Sequence, residues 1–357
     1  MKILFIIRDM VTGGAGKQLA LTANALAEKG HSVFLYTYYG GELQHILNKD
    51  IQYTAQKPSP KNKLLEYILS PLHIRKQIKR IRPDVVVSWR CNAGCFTVLA
   101  TIGLKVKTVF SERTDPYTET SLALKISSWI CNFSDGGVFQ LEKVREYYKR
   151  LYKKSTVIPN PINKNIIISN PAPYDKRLKK IVHVGRMEIS QKRQDVMLNA
   201  FEIFVKQHPD YTLHFYGDGR DFNKVKHLAA EKNLLNNVIF HGDFPNITNV
   251  IQDAKMLVLT SDYEGIPNVI LEAFAIGVPV VSTNCSPGGA KLLLGNNRNG
   301  LLADIGNFQE IAFLMHQIIS EKHLAEKIIA NGLAKLKEFS TDVIFAKWND
   351  YLTKIGN

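Results

Sequence analysis

The stretch MLVLTSDYEGIPNVILEAFAIGVPVVS, residues 256–282, decides the fold class. Its first five residues form an apolar run that predicts a buried strand. A polar loop over 261–267 follows, and Pro267 suits the first position of a helix predicted over 268–276. A second apolar run, 278–282, predicts another strand. A strand, a loop, a helix and a strand in this order predict a parallel βαβ unit.

The same alternation of strands and helices runs through both halves of the chain. The first half opens with an apolar strand over 2–7, a glycine loop and a helix over 18–29, and the second half restarts with a strand over 180–184. Because parallel strands need helical crossovers, the sequence predicts an α/β protein with two doubly wound parallel-sheet domains. Further strands are predicted at 32–37, 84–88, 108–111, 137–139, 212–216 and 237–241.

Four prolines within 159–173 mark a predicted linker, at about 159–174. The predicted N-terminal domain is 1–165 and the predicted C-terminal domain is 175–340. A helical stretch is predicted over 324–354. In open α/β sheets ligands bind at the carboxyl ends of the strands, so the loops that follow the strands are the candidates for a site.

The net charge of +14 is confined to the first half of the chain. Up to residue 178 there are 27 Lys and Arg against 13 Asp and Glu, and the remainder has 19 of each. This asymmetry predicts an anionic partner: lipid headgroups, nucleic acid or a phosphorylated substrate. The first apolar run is too short for a signal peptide, no stretch reaches the roughly 20 apolar residues of a membrane span, and the four cysteines are expected to be reduced. A cytosolic or peripheral protein is therefore expected.

Three loops after predicted strands carry candidate binding groups. The loop at Gly13 and Gly14 leads into a helix, so its N–H groups could meet an anion, or it could be only a tight turn. Arg186 and Lys192 together suit a diphosphate, although each could be a solvated surface cation. Gly217, within Gly-Asp-Gly, would let a ligand approach the backbone closely, or merely turn the chain.

Two glutamates in the opening stretch suggest chemistry at a helix start. Glu264 lies in the loop and Glu272 about one turn into the helix, with seven residues between them. Free N–H groups near Gly265, Ile266 and Asn268 favour a phosphate there. Glu264 could accept a hydrogen bond from a polar group beyond the phosphate, and Glu272 from a ribose diol. The alternative is an exposed loop acid and a helix acid favoured by the helix dipole.

The pattern Glu264-x7-Glu272 resembles the E-x7-E segment of the retaining GT-B glycosyltransferases of glycosyltransferase family 4. The resemblance covers nearly the whole chain and points to the branch that assembles bacterial polysaccharides and glycans. The other motifs follow in family order and at about family spacing: G-G-A at 13–15, V-G-R at 184–186, Lys192, G-D-G at 217–219 and N-G-L-L at 299–302.

This resemblance implies two Rossmann-like domains facing a central cleft, with a C-terminal helix, about 341–357, packing back on the N-terminal, acceptor-side domain. It implies that Arg186 and Lys192 bind the donor diphosphate, that Glu272 binds the ribose and that Glu264 lies by the transferred sugar. Phe244 falls near the place where the family binds the base. The implied catalytic residues are Glu264, Arg186 and Lys192, and the implied donor-binding residues are Gly13, Gly14, Arg186, Lys192, Gly217, Phe244, Glu264, Gly265, Ile266, Asn268, Val269 and Glu272.

Transfer with retention is proposed to pass through an oxocarbenium-like transition state, so the protein must stabilise a departing diphosphate. Two cations and a helix N-terminus can do so without a metal. The sequence also contains no D-x-D segment, the usual metal–phosphate signature of the other main glycosyltransferase fold. The expectation is a metal-independent enzyme without a cofactor, whose donor is a UDP-hexose or a UDP-N-acetylhexosamine.

One segment departs from the family pattern. Many members carry a histidine at the end of an N-domain strand, whereas this chain has Ser111-Glu112-Arg113 at the comparable place. Glu112 and Arg113 are candidates for orienting the acceptor or the sugar. The alternative is a buried salt bridge.

Acceptors in this branch are often lipid-diphosphate-linked sugars at the inner membrane face. The segments 73–82 and 141–154 are basic with interleaved apolar residues, which fits an anionic membrane surface or a solvated helix face. The expectation is a cytoplasmic enzyme, peripheral at the inner face of a bacterial membrane. It would act on a lipid-linked or cell-surface glycan and would not bind nucleic acid.

Two other functions stay open at this point. One is a UDP-sugar 2-epimerase of the same two-domain architecture, which would need no acceptor. The other is a non-catalytic basic module that binds lipid or nucleic acid, and its binding would vanish with added salt.

Overall fold

The computed structural model describes residues 1–11, 14–39, 42–56, 62–162, 166–168, 171–244 and 247–356. The chain forms two compact units. Unit 1 contains Met1–Pro161 together with Thr341–Asn357, and unit 2 contains Ile162–Ser340. Gly13 and part of the predicted linker, 163–165 and 169–170, lie outside the described residues.

Unit 1 contains a seven-stranded sheet in which every neighbouring pair is parallel. The strand order is β3-β2-β1-β4-β5-β6-β7. Residues 3–7 of the first strand are buried, because helices cover both faces of a parallel sheet. The strands are β1 Lys2–Ile7, β2 Ser32–Thr37, β3 Gln52–Ala55, β4 Val85–Trp89, β5 Lys107–Glu112, β6 Gly136–Phe139 and β7 Ser155–Val157.

Helices form most of the connections between these strands. Within one helical layer, α3 packs between α2 and α4. The helices are α1 Gly14–Glu28, α2 Lys63–Ile81, α3 Cys91–Thr101, α4 Leu122–Cys131 and α5 Glu142–Tyr147.

Unit 2 repeats the arrangement with six parallel strands in the order β10-β9-β8-β11-β12-β13. Its strands are β8 Leu178–Val184, β9 Thr212–Tyr216, β10 Val238–Phe240, β11 Ala254–Leu259, β12 Val280–Thr283 and β13 Leu301–Ala303. Its helices are α6 Ile189–Lys192, α7 Gln194–Gln207, α8 Phe222–Glu231, α9 Ile247–Ile251, α10 Asn268–Ala275, α11 Gly289–Leu294, α12 Phe308–Ser320 and α13 Lys322–Lys335.

The last helix, α14 Thr341–Gly356, packs in unit 1. It buries Trp348, whose ring stacks on that of Trp89 at 5.7 Å between centroids. The stretch predicted to be helical, 324–354, is divided between two helices. A 3₁₀ turn, Leu336–Phe339, and Ser340 separate α13 from α14, and this break lets the chain pass from unit 2 to unit 1.

The predicted fold class, two Rossmann-like parallel-sheet domains, is confirmed. In each sheet, successive strands first extend the sheet toward one edge and later strands extend it toward the opposite edge. The two halves meet between β1 and β4 in unit 1 and between β8 and β11 in unit 2. Such a switch point creates a crevice at the carboxyl ends of the strands, where open α/β sheets bind ligands. No helix among the described residues is both long enough and apolar enough to cross a bilayer.

Candidate functional site

The switch point of unit 2 brings two of the predicted loops together. Strands β8 and β11 pair in parallel, so their carboxyl ends meet at one edge of the sheet. The chain leaves β8 through Gly185 and Arg186, and it leaves β11 through the loop that contains Glu264. Lys192 and Glu264, 72 positions apart in sequence, therefore share one site.

Lys192 and Glu264 form an ion pair between the Lys192 Nζ and the Glu264 Oε1. Both side chains are mostly buried, at 17% and 13% exposure. Ser261 Oγ donates to the same carboxylate oxygen at 2.9 Å. The aliphatic part of Lys192 passes over Gly185, since a Cβ added there would lie 3.4 Å from its Cδ. Because an ammonium carries three N–H bonds, Lys192 can donate to an anion while it remains bonded to Glu264.

A buried network below this pair fixes the position of Lys192. Thr260 Oγ1 donates to the backbone oxygens of Lys192 and Arg193, at 2.8 and 2.9 Å. His183 Nε2 lies 3.2 Å from the same hydroxyl oxygen. Since the only hydroxyl proton of Thr260 points to those carbonyls, His183 Nε2 must be the donor. Burial, with a smaller effect from the charge of Lys192, lowers the pKa of His183 to about 3, so this imidazole is neutral.

The V-G-R and G-D-G loops are joined by backbone hydrogen bonds. Gly185 N donates to Tyr216 O, and Met187 N donates to Asp218 O, both at 3.0 Å. Gly217 has φ +126°, and a Cβ there would lie 2.2 Å from Gly185 O. Only glycine allows this close approach, so Gly217 shapes the floor of the site whether or not it touches a ligand.

Arg186 lies immediately after β8, and 67% of its side chain is exposed. Its Nη1 is 3.4 Å from Glu188 Oε2, and Arg220 Nη2 is 2.9 Å from Glu188 Oε1. The guanidinium therefore stands at the rim of the site beside a second arginine. Arg220 was not predicted from the sequence, because it lies on the loop after the G-D-G motif rather than within a motif.

Gly265 and Ile266 form the end of the β11 loop, and Asn268 and Val269 are the first residues of α10. The sequence suggested Pro267 for the first helical position. In the structure Pro267 stands one position earlier, at the N-cap. A Cβ on Gly289 would lie 1.8 Å from Gly265 O, so the start of α11 packs directly against this loop. Glu264 N also donates to Ser286 O at 2.8 Å. The loop is therefore held from both sides.

Glu272 is 7% exposed and lies in the second turn of α10. Ile266, Asn268 and Glu272 each take part in a hydrogen bond or in a ring or electrostatic contact. Their predicted roles toward a ribose and a phosphate stay predictions.

An aromatic surface follows β9 and β10. The ring of His241 stacks on Tyr216 at 4.3 Å and an interplanar angle of 4°. Phe244 is 46% exposed and meets the Tyr216 ring edge-on at 6.2 Å. Burial lowers the pKa of His241, which favours a neutral ring. Planar rings of this kind suit stacking on a nucleobase. The sequence singled out Phe244, and Tyr216 and His241 emerge only from the pairing of β9 with β10.

Glu112 is buried at the end of β5 in unit 1. Its Oε1 accepts from the backbone N–H groups of Arg113 and Thr114, at 2.8 and 3.1 Å, and its Oε2 accepts from Tyr148 Oη at 3.2 Å. This carboxylate holds the loop that follows the strand.

Arg113 is buried beside two stacked tryptophan rings, at 4.3 Å from the Trp89 centroid and 5.3 Å from that of Trp348. Its Nε donates to Ser111 Oγ at 2.9 Å. Burial lowers the pKa of Arg113 to about 9, and the guanidinium is still charged at neutral pH. These contacts place Arg113 in the packing of α14, and its acceptor-side role stays a prediction.

Gly14 is the first residue of α1 and is exposed. The adjoining Gly13, the other glycine assigned to the donor, lies outside the described residues. In unit 1 the described part of this loop thus consists of a helix N-terminus at the carboxyl edge of the sheet, where backbone N–H groups favour anions.

The arrangement in unit 2 can stabilise negative charge at one place. Arg186, Lys192 and the N-terminus of α10 follow the carboxyl ends of adjacent strands. A diphosphate that gains charge as a bond breaks would be stabilised by such preorganised groups. Glu264, paired with Lys192, is the acidic group beside them.

Family models match both units of the chain. The model described as Glycosyltransferase Family 4 matches residues 12–165, and the model described as Glycosyl transferases group 1 matches residues 166–335. The chain belongs to the GT-B glycosyltransferases of glycosyltransferase family 4.

Individual relatives agree with this assignment. A Campylobacter jejuni GalNAc-alpha-(1->4)-GalNAc-alpha-(1->3)-diNAcBac-PP-undecaprenol alpha-1,4-N-acetyl-D-galactosaminyltransferase is 26% identical, with 100% of this chain and 99% of that protein covered. An Escherichia coli lipopolysaccharide 1,6-galactosyltransferase is 30% identical over 56% of this chain and 54% of its own length. The crystal structure of Anabaena Alr3699/HepE in complex with UDP and glucose shares the fold, with a TM-score of 0.84 at 19% identity and 99% of each chain covered.

Proposed function

We propose that this glycosyltransferase transfers a hexose or an N-acetylhexosamine with retention of configuration. The donor would be a UDP-sugar, and the acceptor a lipid-linked or cell-surface glycan. The observation that carries the proposal is the Lys192–Glu264 ion pair, which lies with Arg186 at the switch point of the second sheet.

The proposed donor site lies in unit 2. Arg186 and Lys192 would bind the diphosphate, and α10 would direct its first N–H groups toward it. Glu272 would accept from the ribose, and the rings of Tyr216, His241 and Phe244 would contact the base. Glu264 would lie beside the transferred sugar, where its negative charge favours an oxocarbenium-like transition state.

In the proposed reaction the acceptor hydroxyl bonds to the anomeric carbon as the bond to the diphosphate oxygen breaks. The hydroxyl proton passes to that departing oxygen. Lys192 and Arg186 would stabilise the negative charge that collects on the diphosphate, and the proposed reaction needs neither a metal nor a cofactor.

The relatives support the donor and acceptor classes. Alr3699/HepE has been crystallised with UDP. The C. jejuni relative is named for a polyprenyl-diphosphate-linked glycan and for an α-linkage, and retention gives this linkage from an α-linked donor. The excess positive charge up to residue 178 fits an anionic membrane as the surface that presents such an acceptor. We accordingly propose a cytoplasmic enzyme, peripheral at the inner face of a bacterial membrane.

The test is nucleotide release from a panel of UDP-, GDP- and ADP-sugars. Each donor is incubated with and without a membrane lipid extract, in chelator and in added divalent metal. The proposal expects UDP release from one sugar, raised by the extract and unchanged by chelator. Release of UDP with an epimerised sugar and no acceptor product would instead indicate the epimerase. Release that depends on added metal would refute metal independence.

A further inference from the structure

Helix α4 of unit 1 is amphipathic, but its small polar side is buried and its apolar side is exposed. Its buried residues are Ser127, Ser128 and Cys131, which are small and mostly polar. Its exposed side carries large apolar side chains instead, and no acidic residue occurs in the helix. Single exposed apolar residues are normal on protein surfaces, whereas a whole helix face of them marks an interaction site.

The exposed apolar side chains follow one helical stripe. Leu122, Ile126 and Trp129 recur at spacings of four and three along α4, and Phe133 continues the stripe in the turn after the helix. They are 73%, 51%, 64% and 44% exposed, respectively. Residues at these spacings lie on one face of a helix. We call this stripe the apolar face of α4.

Neighbouring helices extend the apolar surface. An open cavity of about 460 Å³ lies between α3 and α4, and Leu99, Ile102, Trp129 and Phe133 are among its lining residues. On the other side of α3, helix α2 exposes Leu65, Ile68 and Leu72, which also share one face.

The charged groups that border this surface are mostly basic. The acidic Asp135 also lines the cavity, where its carboxylate accepts from the backbone N–H and the hydroxyl of Thr108. Lys76, Lys79 and Arg80 continue along α2, and Lys125 lies on α4. The guanidinium of Arg150 lies 4.3 Å from the ring centroid of Phe133. Arg75 is bonded within the protein, because its Nη1 donates to the backbone oxygens of Ala100 and Ile102, at 2.7 and 2.8 Å.

We propose that the apolar face of α4 inserts into the boundary between headgroups and acyl chains of an anionic lipid bilayer. Large apolar side chains with an exposed tryptophan, bordered by Lys and Arg, are what such an interface accommodates. The proposal deepens the proposed function, whose membrane partner it assigns to a defined surface of unit 1. It does not depend on which sugar is transferred.

Trp129 provides a direct probe. It is 64% exposed, whereas Trp89 and Trp348 are each 1% exposed. A blue shift of the emission on adding vesicles would therefore report the environment of Trp129. With vesicles of phosphatidylcholine and phosphatidylglycerol we expect a blue shift and quenching by acyl-chain-brominated lipid. Phosphatidylcholine alone should give a much weaker response, and added salt should weaken binding to the mixed vesicles.

The variant Leu122→Ser/Ile126→Ser removes apolar area and keeps the probe. We expect its partition onto the mixed vesicles, measured by sedimentation, to fall at least about tenfold. The matched control is Phe313→Ser on α12 of unit 2, another exposed apolar residue, which should sediment like the wild type. Thermal melting establishes that all three proteins are folded.

Equal sedimentation of the double variant and the wild type, or an unchanged Trp129 emission, would overturn the proposal. Self-association without lipid that the double variant abolishes would also overturn it, because this face would then bind a protein. Nucleotide release without vesicles tests the donor chemistry separately. If vesicle binding behaves as expected and no donor is used, the membrane surface stands and the proposed function fails.

Discussion

At the scale of single residues, the site is defined by side chains that are held by their neighbours. Lys192 and Glu264 pair with each other, and Thr260 and His183 hold the backbone beneath Lys192. A group positioned in this way needs little reorganisation when charge develops nearby, which is the basis of electrostatic catalysis.

The variant Glu264→Gln tests the paired carboxylate. We expect kcat for transfer to fall at least about a hundredfold, because the substitution removes the charge that we propose favours the transition state. Initial rates with the donor identified by nucleotide release measure this effect. Glu231→Gln on the surface of α8 removes a carboxylate away from the site and should retain full turnover. Turnover near that of the wild type in Glu264→Gln would refute the assignment of this residue.

His183 predicts a dependence of stability on pH. Its folded-state pKa is lowered to about 3, below the 6.5 of the free side chain, so the unfolded chain takes up a proton first as pH falls. The stability that comes from the neutral imidazole is complete above pH 6.5 and is lost as pH falls toward 3. His183→Gln keeps an N–H donor toward Thr260 and does not titrate. Urea unfolding between neutral and acidic pH should show a smaller loss of stability in this variant than in the wild type. An identical loss in both would contradict the role of His183.

At the scale of secondary-structure elements, α14 completes the core of unit 1. It buries Ile344, Phe345, Trp348 and Leu352, and the Trp348 ring lies on Trp89 and near the guanidinium of Arg113. The contribution of this helix is therefore mainly hydrophobic and aromatic.

Trp348→Ala should destabilise unit 1 by about 3–5 kcal/mol, the usual cost of removing a large buried aromatic side chain. Tryptophan fluorescence during urea unfolding measures the effect, since the tryptophans of the chain all lie in unit 1. Lys347→Ala changes an exposed neighbour on the same helix and should stay within about 0.5 kcal/mol of the wild type. A midpoint for Trp348→Ala that matches Lys347→Ala would show that α14 contributes little.

The central strands and the edge strand β10 were predictable from the sequence, and the edge strands β3, β7 and β13 were not. Strands such as β1 and β11 are continuous apolar runs because both faces of a parallel sheet are covered. Strand β3 is a short edge strand with no buried residue, so it lacks such a run. The short edge strands β7 and β13 were missed for a similar reason, since three residues carry too little pattern.

The predictable part of the site was the set of motif residues after the strands. Arg186, Lys192 and Glu264 stand out in the sequence because they follow apolar runs. The partners that hold them depend on contacts between segments far apart in the chain. Thr260 with Lys192, and Tyr216 with His241, are examples that pairing of strands creates. The order of apolar and polar residues within one segment does not show which residues of a distant segment will contact it.

At the scale of the whole molecule, the groups of the candidate donor site and those of the proposed membrane surface lie in different units. Unit 2 holds the paired carboxylate, the cations at the switch point and the aromatic surface. Unit 1 holds most of the basic excess and the apolar face of α4. The proposed donor chemistry and the proposed membrane binding thus belong to different units and can be tested separately.

The most direct test of the donor site is amide hydrogen exchange of the whole chain with and without saturating UDP. We predict slower exchange in unit 2 in the peptides that cover 184–194, 213–221 and 260–273, because the diphosphate and the nucleoside would contact these loops. Peptides of α12 and α13 should be unchanged and serve as the internal control. Protection confined to other segments, or no protection at a UDP concentration that saturates catalysis, would contradict the assignment of the switch point of unit 2 as the donor site.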